Sequence, residues 1–275
     1  LLARLARQAR GRSRRRPQRN GHAAGRSDDG FDLSLTGFDE AELGRLRAQQ
    51  AIARLWNREP GLWKDDAAHA GAIANRLGWL SVVDQMRSEV ADLMVFSEEV
   101  SAAGLRNIVL LGMGGSSLAP EVFSLLFPSV GGRRFFVLDT TDPESLRAIQ
   151  SLLEPERTLF VVASKSGSTI ETLSQFQYFL DRMQRAGISP AGKYFVAITD
   201  AGSHLDKLAQ EHAFRRVFRN PADIGGRYSA LSFFGLVLKL RSVTSIGPTV
   251  VENGEARVRS LYTTLLPMMR SSPTR

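Results

Sequence analysis

The sequence predicts an α/β fold: a doubly wound, five-stranded parallel sheet flanked by helices and preceded by a helical N-terminal segment. Three observations carry this. From Asn107 onward, short apolar runs alternate with helical stripes. Two of those runs, 107–111 and 158–163, lead straight into Gly- and Ser-rich loops that open onto helices. Before Asn107 the apolar residues recur only at helical spacing. Strands that alternate with helices imply a parallel sheet covered on both faces.

The elements follow in order. Residues 1–30 form a basic extension or linker. Residues 31–105 make the helical segment, with helices expected over 39–57, 67–77 and 80–101. The last is the clearest, because Val83, Met86, Val90, Leu93 and Met94 fall on one side. The sheet domain is placed at 106–238, with strands near 107–111, 135–139, 158–163, 194–199 and 215–218. Residues 118–127 carry apolar residues at helical spacing, and further helices begin near Asp142–Pro143, Ser168, Ser203 and Tyr228. Thr141 with Glu144, and Ser168 with Glu171, have capping-box spacing. From about Lys239 to Arg275 the stripe is lost, and this tail reads as atypical and unstructured, as a frameshift or truncation in the gene would make it.

Composition narrows the function classes. The chain has 275 residues, no cysteine and a net charge of +8. Residues 1–26 hold nine arginines and no carboxylate. Taking these nine from 36 Lys and Arg leaves 27, against 28 Asp and Glu, a net of −1. The basic character therefore belongs to the extension. An arginine run suits nucleic acid or an anionic membrane, but this one has no aromatic residue for base stacking. No apolar run approaches the roughly 20 residues that span a bilayer. The four histidines lie at 22, 69, 204 and 212, without metal-ligand spacing, and His204 and His212 read as surface helix residues. No metal or cofactor is expected, and a cytoplasmic setting fits the absence of cysteine.

Chemistry concentrates in three loops. Ser164-Lys165-Ser166-Gly167-Ser168-Thr169 joins a strand to a helix, so backbone N–H groups, hydroxyls and a helix N-terminus face one spot. Read alone, it serves equally as a phosphate cradle or as a turn whose hydroxyls only cap the helix. Gly112-Met113-Gly114-Gly115-Ser116-Ser117 is a second such loop. Its GxGGSS pattern differs from the dinucleotide fingerprint GxGxxG, although Asp139 supplies the acidic residue that a dinucleotide site uses. Asp223-Ile-Gly-Gly-Arg-Tyr-Ser229 suggests a tight turn that presents the Arg227 guanidinium. For a lone arginine there, a structural ion pair with a nearby carboxylate would be the favoured reading.

Together GMGGSSLAP, SKSGSTIET and GGRYS, in this order, resemble the first sugar-isomerase (SIS) domain of the phosphoglucose isomerases. The GMGGSSLAPEVF wording and the segment Trp56 to Asp65 are most similar to the form fused to transaldolase in some bacteria. The resemblance covers roughly residues 35 to 237 and implies interconversion of glucose 6-phosphate and fructose 6-phosphate. It implies phosphate binding by Ser164, Lys165, Ser166 and Thr169, with Lys165 acting chiefly through its backbone. Gly115 and Ser116 match positions beside the sugar. Arg227 matches the arginine that stabilises the developing enediolate charge. Gly167 stands where relatives carry a bulky residue, which predicts a looser loop.

The family's base glutamate, ring-opening histidine and second lysine belong to its later half. The resemblance therefore implies that this chain alone lacks catalysis, and Glu171 is a capping residue rather than a base. The implied partners are a phosphosugar, a second copy in a homodimer, and a fused transaldolase. The rival readings are a non-catalytic SIS module in a sugar-phosphate-sensing regulator and the isomerase domain of a hexosamine-phosphate synthase. The GGRYS turn favours the isomerase.

Overall fold

The computed structural model describes residues 40–126 and 133–237. The basic extension and the tail after 238 lie outside the described residues. The chain divides into two units, 1–49 and 50–275. In the first, α1 (Glu40–Ala48) is described and ends in two basic residues, Arg45 and Arg47.

The second unit begins with α2 (Ala51–Trp56), α3 (Ala67–Ala74) and α4 (Val82–Ala102). The single helix expected over 39–57 is thus two. Gln50 takes a left-handed conformation (φ 50°) that a continuous helix cannot contain. A strand–helix alternation follows: β1 (Asn107–Gly112), α5 (Gly115–Leu126), β2 (Arg134–Leu138), α6 (Pro143–Ser151), β3 (Thr158–Ala163), α7 (Ile170–Arg185), β4 (Phe195–Asp200), α8 (His204–Glu211) and β5 (Arg216–Asn220). A 3₁₀ turn, Gly226–Leu231, follows, and 233–237 is helical again.

Among the described residues the sheet has five strands, all parallel, in the order β2-β1-β3-β4-β5. Alternate residues of each strand feed two cores. Ile108 and Leu110 of β1, with Leu159 and Val161 of β3, pack against Met86, Leu93 and Phe96 of α4. Val109, Leu111, Phe160 and Val162 face Phe176, Phe179 and Met183 of α7. Every residue of β1 and β3 is buried, so these strands lack the polar alternation of a one-sided sheet. The doubly wound α/β fold read from the sequence is the fold of the chain.

The helix starts differ in detail from the spacing arguments. α7 has Thr169 as its N-cap with no side-chain cap bond, and Ser168 instead bonds Ser166. α6 is capped by Asp142, whose carboxylate accepts from the Ser145 N–H at 2.8 Å, with Pro143 in the first turn. Both capping-box assignments, Ser168 with Glu171 and Thr141 with Glu144, are therefore displaced by one residue. α5 opens at Gly115, three residues ahead of the expected start. α8 is capped at Ser203 as its sequence implies.

Candidate functional site at the carboxyl edge of the sheet

The strand order reverses direction between β1 and β3, so the crevice beyond their carboxyl ends is the place where open α/β sheets take ligands. The GMGGSS loop leaves β1 and the SKSGST loop leaves β3, one on each side of that crevice.

The SKSGST loop is built around Ser164, which is buried. Its hydroxyl lies 2.8 Å from the Thr169 hydroxyl and accepts from the Gly167 N–H at 3.1 Å. Ser166 is exposed and accepts from both the N–H and the hydroxyl of Ser168. Among the described residues the N–H groups of Lys165, Ser166 and Thr169 have no acceptor. A loop with unspent N–H donors at the start of a sixteen-residue helix has the donor arrangement that an anion would need. Gly167 (φ +71°) does not loosen it. A Cβ there would lie 2.7 Å from the Leu205 N and the Ser203 Oγ, so the glycine lets the loop seat on the start of α8.

Lys165 differs from a simple phosphate ligand. Its ammonium donates to Asp200 Oδ2 at 2.6 Å and to the Ala222 carbonyl at 2.8 Å. Its own carbonyl accepts from the Asp200 N–H at 3.2 Å. Burial pushes the Asp200 carboxyl above the usual carboxylate range, opposed by the Lys165 hydrogen bond and charge and by the charge of Arg76. The second carboxylate oxygen, Oδ1, is buried without a hydrogen-bond partner.

The third loop closes over the second. A Cβ on Gly115 would lie 2.4 Å from the Gly226 carbonyl oxygen, so glycine at 115 permits backbone-on-backbone contact. The buried Ser229 hydroxyl reinforces it, lying 2.7 Å from the Gly226 carbonyl and 3.4 Å from that of Gly115. Arg227 is exposed and has no ion pair or hydrogen bond among the described residues. A structural arginine would have a carboxylate partner, and among the described residues this one has none. Ser116 is half-buried in the first turn of α5.

The helical segment also reaches the site, which the motifs do not reveal. The Gly78 N–H donates to the Asp223 carbonyl at 2.9 Å, and Leu77 bridges Ile224. Arg58 pairs with the Asp223 carboxylate at 3.5 Å. Arg76 passes beside Gly225, and Trp79 stacks on Tyr228 with centroids 5.7 Å apart. These contacts depend on tertiary approach, and no local pattern in the sequence announces them.

The phosphoglucose isomerase family model matches residues 79–252, which is more than half of the chain. The chain belongs to the phosphoglucose isomerase family. The glucose-6-phosphate isomerase of Campylobacter jejuni is 32% identical over 163 residues, 58% of this chain and 39% of that protein. That of Desulfitobacterium hafniense is 34% identical over 178 residues, 60% of this chain and 33% of that protein. Among solved structures, a hypothetical protein of Thermus thermophilus, TT0462, matches with a TM-score of 0.62 and 27% identity, over 86% of this chain and 55% of that one. The glucose-6-phosphate isomerase of Chlamydia trachomatis matches at 0.51 and 30%, over 70% and 34%. This phosphoglucose isomerase family member thus spans about a third to two fifths of the length of the glucose-6-phosphate isomerases from C. jejuni and D. hafniense. The family match takes in all three loops. It begins at Trp79, after much of the helical segment, and runs past Lys239, where the sequence motifs stop. Among the described residues no helix is long and apolar enough to cross a membrane.

Proposed function

We propose that the protein to which this chain contributes interconverts glucose 6-phosphate and fructose 6-phosphate, and that this chain supplies its phosphate-binding half. The observation that carries the reading is the meeting, at one crevice, of a loop with unspent N–H donors and a turn whose arginine is unpaired among the described residues. The N–H groups of Lys165, Ser166 and Thr169 and the hydroxyls of Ser166 and Thr169 hold the phosphate, and the buried Ser164 hydroxyl braces the loop through Thr169 and Gly167. Gly115 and Ser116 lie beside the sugar. Arg227 acts on the negative charge that develops at the sugar oxygens as a proton moves between C1 and C2, a preorganised electrostatic role. Proton transfer is assigned to no residue of this chain.

Titration calorimetry with fructose 6-phosphate and with fructose tests the reading. Heat of binding is expected for the phosphorylated sugar only. Equal signals, or none, would remove the phosphate cradle. Replacing Ser166 and Thr169 together by alanine is expected to weaken binding by about 0.5–1.5 kcal/mol for each hydrogen bond lost. A homodimer, a fused transaldolase and a cytoplasmic setting go with the same reading, and light scattering on the purified protein tests the first.

A further inference from the structure

The mutual arrangement of Lys165, Asp200 and the turn at 221–226 has no explanation in phosphate binding. Asp200 is the last residue of β4, and its carboxylate fixes the Lys165 ammonium at 2.6 Å. The same ammonium holds the Ala222 carbonyl, five residues ahead of Arg227. Both side chains are about three-quarters buried, at 23% and 24% exposure. Desolvating a carboxylate and leaving one of its oxygens without a partner is costly, and pairing alone seldom recovers that cost. The pair does something that packing would not: it joins the phosphate loop, the end of β4 and the arginine turn at a single nitrogen.

We propose that Asp200 is a positioning residue which, through Lys165, anchors the 221–226 turn and so sets where Arg227 stands relative to the phosphate loop. The proposal rests on the phosphosugar reading of the site. Lys165 is then a clamp whose side chain is spent within the protein, while its N–H serves the anion. The turn is also held by Gly78 and Leu77, by Arg58 at Asp223 and by the packing of Gly115 on Gly226, so removal of the clamp loosens the turn without unfolding the sheet.

Hydrogen exchange read by mass spectrometry on the 275-residue chain, with calorimetry, tests this. Asp200→Asn, Lys165→Met and the double variant are compared with the parent. Exchange at 222–228 is expected to rise by about two- to tenfold in each single variant, the range for one net hydrogen bond. The double variant should rise no further, because both changes break one device. Amides inside β1 and β3 should stay as slow as in the parent. Affinity for fructose 6-phosphate should fall relative to that for inorganic phosphate, because the turn acts on the sugar end. Lys165→Arg, which keeps the positive charge and several N–H donors, should restore part of the protection. Unchanged exchange at 222–228, or a rise spread evenly over the sheet, would overturn the proposal and leave an ordinary ion pair. A parent chain that binds neither phosphate nor fructose 6-phosphate would instead remove the phosphosugar reading, while the exchange data still decide the clamp.

Discussion

Gly167 shows how much one side chain can matter at this site. Its left-handed backbone costs an L-residue about 1–2 kcal/mol, and a Cβ would meet the Leu205 nitrogen as well. Gly167→Ala is therefore expected to lower stability by at least about 1–2 kcal/mol, read as a shift in the urea midpoint, and to weaken phosphosugar binding with it. The sequence made Gly167 look like a loosened position, because a glycine in place of a bulky residue suggests lost packing. What it could not show was the start of α8 lying against that face. Arg227 belongs to the same scale. If the proposed isomerase activity is assayed in a protein that also carries the proton-transferring groups, Arg227→Ala is expected to reduce kcat by about 10²–10³-fold with a smaller change in KM. Arg227→Lys should recover only part of this, since an ammonium lacks the planar fork. A steady-state measurement with unchanged kcat would make this arginine structural.

The strands were legible at the scale of elements, and the helix starts less so. Continuous apolar runs at 107–111 and 158–163 are too short for a typical helix and are followed at once by Gly or Ser, which favours strands buried on two sides, and they are such strands. A capping box is weaker evidence, because spacing does not say which hydroxyl points at the helix. Asp142 outcompeted Thr141, and Thr169 took the cap position of α7 with its hydroxyl turned to Ser164. Ser203, where the sequence places the start of a helix, is the N-cap of α8. Its hydroxyl accepts from the Asp206 N–H at 3.1 Å and lies 2.7 Å from that of Thr199. Ser203→Ala is expected to cost about 0.5–2 kcal/mol, seen as a lower thermal midpoint with the sheet intact by circular dichroism.

For the whole molecule, one buried and one partly buried carboxylate set opposite responses to acid. Asp206, only 4% exposed, accepts from Arg219 twice, from the Gly202 N–H and from Gln210. The Arg219 hydrogen bonds lead in holding its carboxyl below the usual range, against the cost of burial. Its folded value thus lies below its unfolded one. The stability it gives is complete above the unfolded value, near pH 4, and is lost as pH falls through the folded value. Asp200 runs the other way. Its folded value lies above its unfolded one, so its contribution is complete below the unfolded value and is lost as pH rises through the folded value. Asp206→Asn is therefore expected to flatten the fall in urea midpoint between about pH 5 and pH 3. An unchanged slope would show that other groups set the acid limit. The sheet edge that carries the site was legible from three ordered motifs. The contributions of Arg58, Arg76 and Gly78 were not, because they meet the arginine turn only after the chain has folded back from more than a hundred residues away.

The stacking of Trp79 on Tyr228 gives the protein an optical reporter of its own. Tyr228 is the immediate neighbour of Arg227, so a backbone shift of the turn that displaces Tyr228 alters the surroundings of one indole. The sequence holds three tryptophans, and Trp56 and Trp63 are about half exposed. Exchanging those two for phenylalanine would leave emission from Trp79 alone. Stopped-flow mixing with sugar phosphates could then follow the turn in real time, without a dye and without turnover.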